Sequence, residues 1–163
     1  MFRVGILTIS DKGAQGDRPD LSAEEIKHLL ADSLYRIEAY AVVPDELEAI
    51  IARLVQWSDQ HHLDLILTSG GTGVSPRDVT PEATQAVVER SVPGLAEAMR
   101  AASLASTPHA MLSRARAGIR AQTLIINLPG SPRAVRENLA VVLPALPHAL
   151  EKIQGSPAEC GRP

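Results

Sequence analysis

Leu63-Asp64-Leu65-Ile66-Leu67 runs directly into Thr68-Ser69-Gly70-Gly71-Thr72-Gly73, and Arg77-Asp78-Val79-Thr80-Pro81-Glu82-Ala83 follows after three residues. The aliphatic run reads as a buried strand, the glycines as a loop, and Thr80-Pro81 as a helix start with Thr80 as cap and Pro81 in the first turn. The same order recurs on either side. Val4 to Ile9 is an apolar run ending in Ser10-Asp11, with a polar loop over residues 12–20. A helix is expected from a capping box at Ser22 and Glu25. Residues 35–43 read as a second strand, and Asp45 as the N-cap of the helix that carries Leu47, Ile50, Ile51, Leu54 and Val55. Residues 94–104 read as a helix and 114–119 as a strand or loop. Leu124 to Asn127 reads as a further strand ending in Leu128-Pro129-Gly130-Ser131-Pro132, with a helix of about a dozen residues and a proline-punctuated C-terminal helix after it.

Strand and helix alternate, and the strands are continuously apolar rather than half polar. That pattern predicts a three-layer α/β/α fold with a mostly parallel sheet covered on both faces. Residues 1–154 read as one domain and 155–163 as a flexible C-terminal tail.

The chain has 163 residues, 16 Lys+Arg against 19 Asp+Glu, and a formal charge of −3. A length of this order buries roughly 70% of the unfolded surface, enough for a full core without staples. The acidic balance argues against nucleic acid as a partner. Only Phe2, Tyr35, Tyr40 and Trp57 are aromatic, so the core must be aliphatic. The one cysteine, Cys160, sits in the tail, which excludes an intrachain disulfide. No apolar run approaches the ~20 residues of a membrane span, and the N-terminus lacks a signal-peptide layout, so the expectation is a cytoplasmic protein with no membrane partner.

In parallel sheets ligands bind beyond the carboxyl ends of strands. Those ends carry Ser10 and Asp11, the glycine segment, and Asn127 to Ser131. Three glycines in four residues suit a loop whose N–H groups turn toward an anion, with Ser69 and Thr72 adding hydroxyls and Arg77 a cation. A tight turn would need the same glycines. The segment is not a Walker A loop, for no Gly-Lys-Ser/Thr follows, and it lacks the third glycine of a dinucleotide fingerprint. Asp45 and Asp78 stand near strand ends, where a carboxylate caps a helix or holds a hard cation such as Mg²⁺. With Thr80 as cap, Asp78 is expected to be free. Glu82 suits a first helical turn and could face a ligand amino group. Ser113 and Arg114 fall in an irregular region, where Arg114 could hold a phosphate or merely solvate the surface. The histidines show no metal-ligand spacing, and there is no Gly-x-Ser-x-Gly elbow.

Taken together, Thr68 to Gly73 with Arg77 to Ala83, Thr8-x-Ser10-Asp11, Pro44-Asp45-Glu46, Pro93-Gly94 and Asn127 to Pro132 resemble the molybdenum-cofactor biosynthesis family. That family includes bacterial molybdopterin adenylyltransferases and the plant and gephyrin G domains. The likeness covers about residues 4–153 and departs at Ala23, where the family often has glycine. It implies Mg²⁺- and ATP-dependent adenylation of molybdopterin with release of pyrophosphate. It also implies a homotrimer and a possible molybdate-inserting enzyme as partner. By position it assigns Asp45 and Asp78 as catalytic and metal-binding. It assigns Ser10, Asp11, Ser69, Gly70, Gly71, Thr72, Gly73, Arg77, Glu82, Ser113, Asn127, Pro129, Gly130 and Ser131 to nucleotide and pterin. The alternative within the same fold is a molybdopterin-binding module, or an oligomeric scaffold, without efficient adenylation.

Overall fold

The computed structural model describes residues 1–17 and 19–157. Six strands, β1 (Phe2–Ile9), β2 (Tyr35–Val43), β3 (Leu65–Ser69), β4 (Arg90–Ser91), β5 (Ala117–Arg120) and β6 (Thr123–Leu128), form one sheet in the order β2-β1-β3-β6-β5-β4. The four strands from β2 to β6 run parallel, and β5 and β4 close the sheet with antiparallel pairings. The mostly parallel sheet is therefore present. The segment that the sequence left open as strand or loop is the antiparallel β5, together with the two-residue β4.

Every residue of β3 and β6 is buried. Their side chains alternate between two cores. Leu65, Leu67, Leu124, Ile126 and Leu128 point into one, while Ile66 and Ile125 point into the other. Burial on both faces is why these strands read as unbroken aliphatic runs. On the first face lie α2 (Leu21–Leu29), α5 (Pro93–Leu104), α6 (Pro132–Val142) and α7 (Leu146–Ile153), packed through Ile26, Met99, Leu139 and Leu150. The second face is covered by α3 (Leu47–Val55) and α4 (Thr80–Val87), with Ile50, Leu54, Ala83 and Val87 inward. A π-helical turn at Gln56–Gln60 follows α3 and buries Trp57 there. The β2 strand departs from the uniformly apolar expectation. It is an edge strand, and Arg36, Glu38 and Tyr40 alternate outward.

Four local readings are corrected. The polar stretch expected as loop begins with a short helix, α1 (Asp11–Ala14), capped by Ser10, whose Oγ accepts from the Gly13 N–H at 3.0 Å. The N-cap of α2 is Asp20, which accepts from the Ala23 N–H at 3.0 Å; Ser22 lies inside the helix and donates to the Gly130 carbonyl at 2.7 Å. Glu46, not Asp45, precedes α3, and it makes no side-chain capping bond. Val79 precedes α4, so Thr80 is the first helical residue and its hydroxyl donates to the Gly70 carbonyl at 2.9 Å. Residues 155–157 of the expected tail continue past α7; the remainder, with Cys160, lies outside the described residues.

Candidate functional site

The strand order reverses direction between β1 and β3, which opens a crevice beyond their carboxyl ends. A cavity of about 790 Å³ occupies it. Ser10, Asp45, Ser69, Gly70, Gly71, Asp78, Gly130 and Ser131 line this space, so eight of the residues singled out from sequence converge. The glycine segment makes its wall. Gly70 and Gly71 have φ of +99° and +66°, a region that suits glycine. A Cβ on Gly70 would collide with the Ile9 carbonyl oxygen, and one on Gly71 with Thr80 Oγ1. The chain thus passes too close to β1 and α4 for any side chain. The Gly70 N–H donates to the Leu128 carbonyl at 3.2 Å, and Ser69 Oγ donates to the Pro129 carbonyl at 3.0 Å. These bonds fix the loop to the end of β6. Among the described residues, the N–H groups of Gly71, Thr72 and Gly73 find no protein acceptor.

Carboxylates stand opposite those amides. Asp45 is half-buried, and its Oδ2 accepts from the Asp11 N–H at 2.9 Å. In return Asp11 Oδ1 accepts from the Asp45 N–H at 3.0 Å. Burial pushes the Asp45 carboxyl above its ordinary value of 3.8; the Asp11 N–H opposes this, and the charges of Asp11 and Asp78 add to it. Asp11 goes the other way. Arg77 donates to both of its oxygens, at 3.0 and 2.7 Å, and holds it below the ordinary range. Asp78 was expected to be free, but its Oδ2 accepts from the Ser75 N–H at 2.9 Å, closing a small turn.

The remaining residues fall elsewhere. Arg77 is committed to Asp11 at the rim and does not line the cavity. Thr72 is buried, and the Gly73 carbonyl faces away toward Arg114, accepting from its Nε at 2.7 Å. Pro129 contributes its carbonyl to Ser69. Asn127 is fully buried. Its amide donates to Thr68 Oγ1 at 3.0 Å and Thr84 Oγ1 at 2.8 Å, and its carbonyl oxygen accepts from the Arg116 N–H at 3.1 Å. Its side chain joins β3, β6 and α4 and does not line either cavity. Glu82 and Ser113 line a second cavity of about 440 Å³, with Arg100, Arg114 and Arg116. There the Arg114 guanidinium holds the Glu82 carboxyl below its ordinary 4.5.

Of the cavity's polar side chains, four were not assigned to the site from sequence: Thr8, Asp20, Ser22 and Tyr40. Tyr40 Oη donates to Asp20 Oδ2 at 2.9 Å, and burial together with that carboxylate pushes the phenol up to about 12. Tyr40 projects outward from an edge strand, a placement that no periodicity encodes. The Thr8 signal was its place two residues before Ser10 at the end of β1.

Residues 5–148 match the family model described as a probable molybdopterin binding domain. The molybdopterin adenylyltransferase of Helicobacter pylori is 43% identical, over 95% of this chain and 89% of that protein. Gephyrin of Dictyostelium discoideum is 50% identical over 94% of this chain, which spans only 23% of gephyrin. Among solved structures, the molybdopterin biosynthesis enzyme MoaB of Thermus thermophilus superposes with a TM-score of 0.91 at 55% identity, over 98% of this chain and all of that one.

Proposed function

The chain belongs to the probable molybdopterin binding domain family, and from that premise we propose that it adenylates molybdopterin in molybdenum-cofactor biosynthesis. The observation that carries this reading is the unpartnered Gly71 amide, continued by those of Thr72 and Gly73, in a glycine loop whose Gly70 and Gly71 line a cavity together with Asp45 and Asp78. Such amides favour phosphate oxygens. In the reaction, the terminal phosphate of molybdopterin attacks the α-phosphorus of ATP. A new P–O–P bond forms, the bond between the α-phosphorus and the bridging oxygen breaks, and pyrophosphate leaves. No protein nucleophile is required. The protein's part is to hold two anions in line and offset their charge.

Asp45 and Asp78 would hold Mg²⁺, which neutralises phosphate charge when bound. The donor set fits it, since magnesium keeps several waters and takes one or two carboxylates with phosphate oxygens. Among the described residues no group of three His, Cys, Asp or Glu could hold a metal unaided, in keeping with an ion that arrives with the nucleotide. Ser10, Ser69, Gly130 and Ser131 supply hydroxyls and main chain to the nucleotide. Asp11 fixes Asp45 and Arg77 in place. Glu82 and Ser113, in the smaller cavity, suit the amino and carbonyl edge of a pterin.

The same reading includes a homotrimer, supported by the exposed Leu104 at the end of α5 and Met111 and Leu112 beyond it. It also includes a cytoplasmic setting and a molybdate-inserting enzyme as downstream partner. No described helix is long and apolar enough to cross a membrane. Purified protein mixed with Mg-ATP and molybdopterin should release pyrophosphate. Pterin binding without pyrophosphate would favour a binding module instead, and self-association without pterin binding a scaffold. Sedimentation should give the mass of three chains.

A further inference from the structure

Residues 72–78 form the stretch between the glycine amides and Asp78. Among the described residues, two side chains tie this stretch to the rest of the protein. One is the Arg77–Asp11 pair at the rim. The other is Arg114, whose main-chain N–H donates to the Thr72 carbonyl at 2.8 Å. Its guanidinium Nε donates to the Gly73 carbonyl at 2.7 Å, Nη2 to the Asp78 carbonyl at 2.6 Å, and Nη1 pairs with Glu82. Arg114 is itself braced. Arg100 of α5 donates to the Ala115 carbonyl at 2.9 Å and the Ser113 carbonyl at 3.4 Å, on either side of it. A guanidinium presents a rigid planar fork of donors, and an ammonium does not.

We propose that Arg114 is a positioning residue: from the wall of the smaller cavity it holds residues 72–78 in the shape that sets Asp78 at the larger one, beside Gly71. This rests on the adenylation reading for its catalytic consequence, but not for its geometry. Two of the Arg114 side-chain contacts are to carbonyls toward opposite ends of the stretch, those of Gly73 and Asp78, five positions apart in sequence but joined by one guanidinium. Holding those carbonyls outward turns the peptide planes between them. Glu82 orients the fork from the first turn of α4. Any ligand in the smaller cavity that approaches Glu82 therefore meets the group that shapes the phosphate-facing segment.

The test uses the full-length protein and two measurements. Hydrogen exchange in the ligand-free protein reads the Ser75 and Asp78 amides, which close the local turn. Arg114→Lys should speed exchange at both by about tenfold, whereas Arg120→Lys, which breaks the distant pair with Asp59, should leave them unchanged. In turnover, Arg114→Lys should lower kcat by about 10- to 100-fold with a smaller change in KM for ATP, and free guanidinium should partly restore Arg114→Ala. Unchanged exchange and unchanged kcat in Arg114→Lys would overturn the proposal. So would equal acceleration in Arg120→Lys, since that is general loosening. Were the wild type inactive, adenylation would fall, and the exchange arm alone would decide whether Arg114 holds the segment.

Discussion

Asp11 and Asp45 exchange two hydrogen bonds across the mouth of the larger cavity, each main-chain N–H donating to the other's carboxylate, at 2.9 and 3.0 Å. The pair ties the end of β1 to the segment before α3. It explains why Asp45 does not cap its helix: its carboxylate is already used. Asp11→Ala and Asp45→Ala should each destabilise the protein, and the double variant should cost less than the two together. A coupling of about 0.5–3 kcal/mol is expected from a double-mutant cycle in urea. Strict additivity would show that the two bonds do not form one unit.

Asp78→Asn keeps an oxygen to accept from Ser75 and removes the charge. Its melting temperature should stay near that of the wild type, while turnover drops by about 10²–10³, the usual cost of losing one electrostatic group at a reacting centre. Normal turnover in a folded variant would remove Asp78 from the chemistry.

Gly71 has no room for a side chain, and its φ of +66° strains an L-residue. Gly71→Ala should cost more than about 1 kcal/mol of stability, read from chemical unfolding. A neutral substitution would mean that the loop has a second conformation of equal energy.

Thr8 Oγ1 is buried and lacks a hydrogen-bond partner among the described residues, although Thr8 lines the cavity. Replacing an orphaned hydroxyl by an isosteric methyl removes a desolvation penalty. Thr8→Val should therefore be neutral or raise stability by about 1 kcal/mol. A clear loss of stability would show that the hydroxyl has a partner in solution.

The pH response can be read far from the cavity. Arg120 donates to both oxygens of Asp59 and holds its carboxyl below the ordinary 3.8. A depressed carboxyl adds stability above its unfolded pKa and loses it as pH falls through the folded one. Asp59→Asn should thus melt below the wild type at pH 6, and the gap should shrink as the pH falls below the ordinary carboxylate range. A gap that widens on acidification would reverse the sign of that linkage.

The fold was legible where burial leaves a mark on composition. β1, β3 and β6 announced themselves as aliphatic runs because both faces are covered, and the polar residues after them marked the ligand end of the sheet. Asp45, Asp78 and the glycines were legible for the same reason: costly residue types crowded at strand ends. The caps were not, because Asp20 and Ser22, or Val79 and Thr80, are separated only by tertiary partners such as Gly130 and Gly70. The partners of Asn127 were not legible, because a polar residue at a strand end looks the same whether it meets a ligand or a buried pair of threonines. Arg114 was legible only as a cation that could hold a phosphate or solvate the surface, not as a brace. Its role exists only once β5 has turned antiparallel and brought it against Gly73, Asp78 and Glu82.

The central claim is that the cavity beside the glycine loop transfers an adenylyl group to a pterin phosphate. The most direct measurement incubates the purified protein with Mg-ATP and molybdopterin and quantifies both products. The account predicts pyrophosphate and adenylylated molybdopterin in equal amounts, with neither formed when the pterin is omitted. Saturating pterin binding with no pyrophosphate above background would contradict it.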